Sequence, residues 1–289
     1  MTSPLILTHS DFDGWLAGAI AVAALRAIGE DPEVRHVTYG DPCPLEDARG
    51  RSVYVLDFGW PLPVMRELQE AARCLFWVDH HPASVQAELP QAYGIRASDR
   101  CAAWLTWRMF HAWGPTPAIA DAADDHDRWV HALPATRALA AGVEALAHRE
   151  GALWPGWSQL LADDREALTR LETQGIALLQ AQERRVRHAG HQAVAVKLDG
   201  VDALAVNVST DFNEVADHLG EQAPVVWLWT VVVRGGRPQV VNSLRARKGG
   251  VDVGELAKRR GGGGHPSAAG WTCDFIVAEA PALLAEVTP

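Results

Sequence analysis

Three short groups of histidines and carboxylates stand out along the first 81 residues: His9-Ser10-Asp11-Phe12-Asp13, Asp57, and Asp79-His80-His81. Asp and His without thiolate suit hard to borderline divalent cations, manganese or magnesium first, cobalt or iron less well. If the first group is extended, His9, Asp11 and Asp13 share one face while Ser10 and Phe12 point away. His80 and His81, being adjacent, would point to opposite sides, one to ligate metal and the other to meet a substrate. So many carboxylates together would repel one another unless cations neutralised them. Two cations about 3.5–4 Å apart, sharing a bridging carboxylate, would generate a nucleophilic hydroxide and polarise a phosphoryl oxygen.

A second informative segment lies near the C-terminus: Gly261-Gly262-Gly263-Gly264-His265-Pro266-Ser267-Ala268-Ala269-Gly270. Glycines let backbone N–H groups approach an anion closely. Pro266 can open a helical turn. Upstream, Asn242-Ser243-Leu244-Arg245 ends in a guanidinium fork suited to phosphate.

The elements around these groups explain why they would meet. Pro4–Thr8, Ser52–Leu56 and Cys74–Val78 are short apolar runs, and each leads directly into one of the three groups. Trp15–Ile28, Pro63–Arg73 and Ala102–Trp113 have helical composition. Strands alternating with helices, the strands near-continuously apolar, indicate a parallel α/β sheet. In such a sheet, residues just past the carboxyl ends of strands share one edge. A lone Asp at a strand end is more often a cap or turn former. Three such positions on one rim are not explained that way.

From about residue 116 to 187 the chain is helical, and Asp163–His188 is the candidate linker helix. The last hundred residues change character. Ala193–Leu198 and Ala203–Val208 flank an Asp-Gly turn, and Val225–Val233 and Pro238–Leu244 flank Gly235-Gly236. Val253–Arg260 reads as a short helix. The expected division is residues 1–160, a linker over 161–190, and a smaller mixed α/β domain over 191–289.

The chain has 289 residues, 48% of them hydrophobic, and a formal net charge of −10. The acidic balance argues against a long nucleic acid lying along the surface, but not against a short phosphorylated substrate drawn in by local cations. Four cysteines form no C-x-x-C pair, so neither a structural zinc site nor a disulfide framework is expected. No apolar run is long enough for a bilayer span, and the N-terminus lacks a secretory layout. The expectation is a cytoplasmic protein without a membrane partner, with a homodimer possible. Most of the twelve tryptophans should pack internally, leaving a minority to stack on a nucleobase.

With these residues in hand, the chain resembles the DHH phosphoesterase family, whose name-giving triplet is Asp79-His80-His81. Gly262-Gly263-Gly264-His265 through Gly270 resembles the signature of the DHH-associated C-terminal domain. The motifs occur in the family's order from His9 to Gly270. The spacing His9-x-Asp11-x-Asp13 is shorter than the H-x-x-x-D-x-D of several members. The resemblance implies a parallel-sheet DHH domain, a helical linker and a smaller mixed α/β domain, with the active site in the cleft between them. It implies one metal held by His9, Asp11 and Asp57, and a second held by Asp13, Asp57, His80 and Asp125. For that last ligand Asp124, Asp125 and Asp127 compete; Asp125 is preferred and Asp127 is the alternative. His81 would face the scissile phosphate and Asp79 would orient a histidine. Arg245, Gly262, Gly263, Gly264 and His265 would hold the rest of the substrate. The implied activity is two-metal, manganese-dependent hydrolysis of phosphodiesters in short oligonucleotides or cyclic dinucleotides. The alternatives are a pyrophosphatase or phosphomonoesterase, and a non-catalytic nucleotide sensor.

Overall fold

A computed structural model describes residues 2–112 and 114–274. Trp113, the last residue of one expected helix, and residues 275–289 of the expected C-terminal domain lie outside the described residues. The chain divides into two units, one ending at Leu179 and the other beginning at Gln180.

The first unit is an α/β layer structure. Its elements run β1 (Leu5–His9), α1 (Phe12–Ala27), β2 (Glu33–Val37), α2 (Leu45–Ala48), β3 (Ser52–Leu56), α3 (Leu62–Ala71), β4 (Cys74–Val78), α4 (Pro82–Val85), α5 (Ala102–His111), α6 (Ala118–Asp127), α7 (Thr136–Ala147), a 3₁₀ turn (Gly151–Leu153) and α8 (Trp157–Leu161). The sheet is parallel throughout, in the order β2-β1-β3-β4. One face packs on α1, α5, α6, α7 and α8 through Ile20, Leu56, Val78, Leu105, Ile119 and Val143. The other packs on α2 and α3 through Leu7, Val55, Met65 and Leu68. Burial on both faces is why β3 and β4 read as continuous apolar runs.

Two local features differ from the sequence reading. β2 was not expected, because Glu33-Val34-Arg35-His36-Val37 carries charge. It survives as the sheet edge, where Arg35 and Arg51 pair with Glu33. α1 begins at Phe12 rather than Trp15, because the Asp11 carboxylate accepts from the Gly14 N–H at 2.9 Å and caps the helix. The segment from His9 to Asp13 is therefore a strand-to-helix turn and not an extended run. Gly14 is required there: a Cβ would lie 2.4 Å from the His9 carbonyl oxygen.

The strand order sets the location of the site. From β1 the chain crosses to β2 on one side and returns to β3 on the other. The carboxyl ends of β1 and β3 therefore flank the switch point of the sheet, where open α/β folds form their crevice.

Helix α9 (Arg165–His191) occupies the expected linker, and the division between the units falls within it. The second unit holds β5 (Val194–Leu198), β6 (Val201–Asn207), α10 (Phe212–Gly220), β7 (Val225–Arg234), β8 (Arg237–Ala246), α11 (Val253–Lys258), β9 (Gly263–His265) and β10 (Ala268–Asp274). Its mixed sheet runs β5-β6-β7-β8-β10-β9, parallel only between β6 and β7. α11 covers one face and α10 the other. Pro266 does not open a helix. With Ser267 it forms the two-residue connection of the β9–β10 hairpin. Among the described residues no helix is long and apolar enough to cross a membrane.

Candidate metal centre

The rim formed by the ends of β1, β3 and β4 gathers the groups that the sequence scattered. His9 Nδ1 lies 2.6 Å from Asp11 Oδ2 and 3.8 Å from Asp57 Oδ2. His80 Nε2 lies 3.3 Å from Asp57 Oδ1, 3.4 Å from Asp127 Oδ2 and 3.7 Å from Asp13 Oδ2. Two triads result, His9-Asp11-Asp57 and Asp13-His80-Asp127, each with its donor atoms within 4.8 Å of one another. Asp57 also groups with His80 and His81, so it touches both halves.

Backbone chemistry holds these side chains in place. Asp57 follows β3 with φ +55°, a left-handed conformation that a non-glycine residue adopts at some cost. Asp13, in the first turn of α1, accepts from the N–H groups of Ala102 and Ala103 at 2.8 and 2.6 Å, at the start of α5. A site carboxylate thus doubles as the anchor of a helix N-terminus. Asp79 accepts from the amides of His80 and His81, and its Oδ1 lies 2.8 Å from His81 Nδ1. The histidine that Asp79 orients is therefore its neighbour His81. A carboxylate on Nδ1 leaves His81 Nε2 facing outward.

Asp125 does not enter the cluster. Its carboxylate accepts from the Ala132 and Leu133 amides at 2.8 and 3.1 Å and from the Thr136 hydroxyl. It ties the end of α6 to the start of α7. Asp127, two residues on, stands on the opposite side of the helix and reaches His80. Asp124 has a third task, accepting from the Cys101 amide and pairing with Arg100 and Arg128. Asp125→Ala is expected to lower stability by about 1–3 kcal/mol, because it strands the buried Thr136 hydroxyl and frees two partly buried amides, with little loss of activity per folded molecule. Asp127→Ala is expected to do the reverse. Thermal melts beside turnover measurements separate the two outcomes.

Electrostatics mark the cluster as incomplete without cations. Burial, reinforced by Asp13 and Asp11, pushes Asp57 well above the usual carboxylate range. Burial and the charge of Asp127 raise Asp13 to about 6. Burial also raises Asp127. Burial acts upward on Asp11 too, but its hydrogen bonds with His9 and the Gly14 amide prevail and hold it low. The hydrogen bond to Asp11 raises His9, and that to Asp79 raises His81. Asp57 Oδ1, His80 Nε2 and Asp127 Oδ2 are buried with no hydrogen-bond partner. Buried polar atoms are almost always satisfied. Three unsatisfied ones facing each other, with Asp and His as the only donor types, fit divalent cations.

In the second unit, strand register brings together the predicted phosphate-holding residues. Arg245 on β8 pairs with Ala268 on β10, which pairs with His265 on β9. Laterally paired residues share a sheet face, so Arg245 and His265 stand about two strand spacings, roughly 9.6 Å, apart with only the Ala268 methyl between them. Gly263, Gly264 and Gly270 line the adjoining hollow of about 420 Å³. Gly262 admits no side chain, since a Cβ would lie 2.1 Å from the Gly270 oxygen. Gly264 has φ +143° and its Cβ would meet Ala269 at 2.6 Å.

An α/β unit with a rim of carboxylates and imidazoles, followed in the chain by a glycine-walled mixed sheet, defines a class of two-unit protein. Comparison with known proteins makes the class specific. Residues 204–288 match the DHHA1 domain family. No curated protein sequence matches the chain. Among solved structures, the fold is similar to the pGpG-specific phosphodiesterase PggH of Vibrio cholerae, at 15% identity and TM-score 0.55, covering 98% of this chain and 96% of that one. It is similar to the DHH domain of a protein assigned to a family of ribosomal proteins, at 14% identity and TM-score 0.55, covering 98% and 85%. It is also similar to RecJ of Thermus thermophilus in complex with Mn²⁺, at 19% identity and TM-score 0.51, covering 99% and 51%. The chain shares the fold of these structures along nearly its whole length, and its C-terminal part matches the DHHA1 domain.

Proposed function

We propose that the chain is a divalent-metal-dependent phosphodiesterase that hydrolyses short oligonucleotides or dinucleotides. The observation that carries this reading is the trio of buried, unpartnered donors Asp57 Oδ1, His80 Nε2 and Asp127 Oδ2. His9, Asp11 and Asp57 would hold one cation, and Asp13, Asp57, His80 and Asp127 the other. Manganese is favoured by the donor set and by its presence in the RecJ structure of similar fold. When bound, such a pair supplies an acidified water and withdraws charge from a phosphoryl oxygen.

The chain's own residues do the rest. Asp57 stands between the two triads, 3.8 Å from His9 and 3.3 Å from His80. Asp79 holds His81 in one tautomer and, by raising its proton affinity, keeps Nε2–H ready to donate to the departing oxygen. Arg245, His265 and the glycine-walled hollow would take a phosphate or terminal nucleotide of the substrate. The net charge of −10 favours a short substrate over a long strand.

The deciding experiment incubates the purified protein and manganese with linear and cyclic dinucleotides, pyrophosphate and phosphomonoesters, with products identified by mass. Mononucleotide products support the reading. Release of phosphate from pyrophosphate or monoesters alone replaces it with the smaller-substrate alternative, and tight binding without product replaces it with a sensor. Arg245→Ala is expected to raise KM about tenfold or more, the worth of a charged hydrogen bond, with kcat nearly unchanged if the group binds substrate and transition state alike.

A further inference from the structure

We infer that two exposed aromatic side chains on opposite sides of the carboxylate rim, Trp129 and Tyr39, are stacking platforms for the nucleobases flanking the scissile phosphate. The inference rests on the phosphodiesterase reading of the metal centre.

Trp129 is 79% exposed, and among the described tryptophans it is the one that is mostly exposed, the others being buried or half-buried. It follows Asp127 by two residues, so its Cα lies within about 7.6 Å of that of Asp127. It is not a loose tip. Its φ of +53° turns the chain sharply at the end of α6, its amide donates to the His126 carbonyl, and its ring lies 4.8 Å from that of His131 and 6.1 Å from that of His126. The left-handed backbone and the two imidazole neighbours fix where the ring stands, so its exposed face is presented beside Asp127 in one place.

Tyr39 is 69% exposed on the other side. Its ring lies 5.7 Å from that of His9 and 5.2 Å from that of Phe58. Phe58 belongs to the core on the α2 and α3 face of the sheet, whereas Trp129 follows two residues after α6, which packs on the α1 face. The two rings therefore bracket the rim that carries Asp11, Asp57 and Asp127. Aromatic faces stack on any base, which suits a substrate class defined by length rather than sequence.

The test compares a natural linear dinucleotide with the same compound lacking both bases, using manganese-loaded wild type, Trp129→Ala, Trp129→Phe and Tyr39→Ala. Each alanine variant is expected to lose about tenfold or more in kcat/KM on the natural dinucleotide, to lose little on the abasic one, and to keep the wild-type oligomeric state. Trp129→Phe should recover most of the loss. Equal losses on both substrates would overturn the inference in favour of support for His9 or α6, and unchanged kinetics would overturn it outright. So would a change of oligomeric state without a substrate-dependent loss, which would make Trp129 a protein contact. If wild type cleaved neither compound, the phosphodiesterase reading itself would fail.

Discussion

Asp57→Asn is expected to lower kcat/KM by more than about 100-fold while raising the melting temperature of the metal-free protein. The first half follows from position. Asp57 touches both triads, and even residues that only support a metal ligand typically cost about 10–100-fold when replaced. The second half follows from charge. Asp57 is almost fully buried, its proton affinity is pushed up by burial and by Asp13 and Asp11, and its Oδ1 has no partner. A neutral amide of the same shape removes that repulsion. Asparagine is preferable to alanine as the probe because the site has φ +55°, a region that Asn tolerates. Differential scanning calorimetry with chelator and with manganese, beside turnover, would measure both effects. Loss of the manganese-induced stabilisation in the variant is the expected third sign. An unchanged kcat/KM would remove Asp57 from the site.

Without metal, stability is expected to rise as pH falls from 7 to about 5, and manganese is expected to abolish that slope. Asp13, raised from 3.8 to about 6, Asp57 and Asp127 bind protons more tightly folded than unfolded. Their stabilising contribution is complete below the unfolded value near 3.8 and is lost as pH rises through the folded one. His9 and His81, also raised, act in the same direction around neutrality, whereas His36 and His126, lowered by burial, act against it and flatten the rise. Asp11 and Asp79 are depressed, so their contribution is lost only on further acidification, below about 4. Stability of the chelated protein should therefore peak between about pH 4 and 5. Asp13 alone contributes about 1 kcal/mol between pH 7 and 5, and about 3 kcal/mol only once pH is below its unfolded value. Bound cations replace the protons, so the manganese-induced rise in Tm should be large at pH 7 and shrink toward pH 5. A chelated protein that is most stable at pH 7 would contradict this account.

Much of this was legible before the fold, for physical reasons that differ by residue. β3 and β4 coincide with their apolar runs, because five-residue runs rich in β-branched and aromatic residues are too short for helices and suit strands covered by helices. Asp57, His80 and His81 follow as strand-end residues. β2 was hidden because its charged sequence is held by β1 and by ion pairs made far along the chain. Asp13 was found through the wrong conformation, since the cap that starts α1 early depends only on where Asp11 sits. Choosing between Asp125 and Asp127 was beyond the sequence. The two have the same chemistry, and what separates them is the placement of the Ala132 and Leu133 amides. The glycine run hid a strand because its partner, β10, lies across a two-residue turn that proline disguises.

The position of Asp127 has a consequence for how the first unit is held closed. His9 and Asp127, members of the two triads that share Asp57, are 118 residues apart in sequence, 127 minus 9. A cation pair joined through Asp57 would therefore act as a reversible cross-link that ties α6 to the first strand and closes a loop comparable to that of a long-range disulfide. Chelation would release a clasp as well as silence a site, and amide exchange should quicken first in α6 and the segment leading to Thr136.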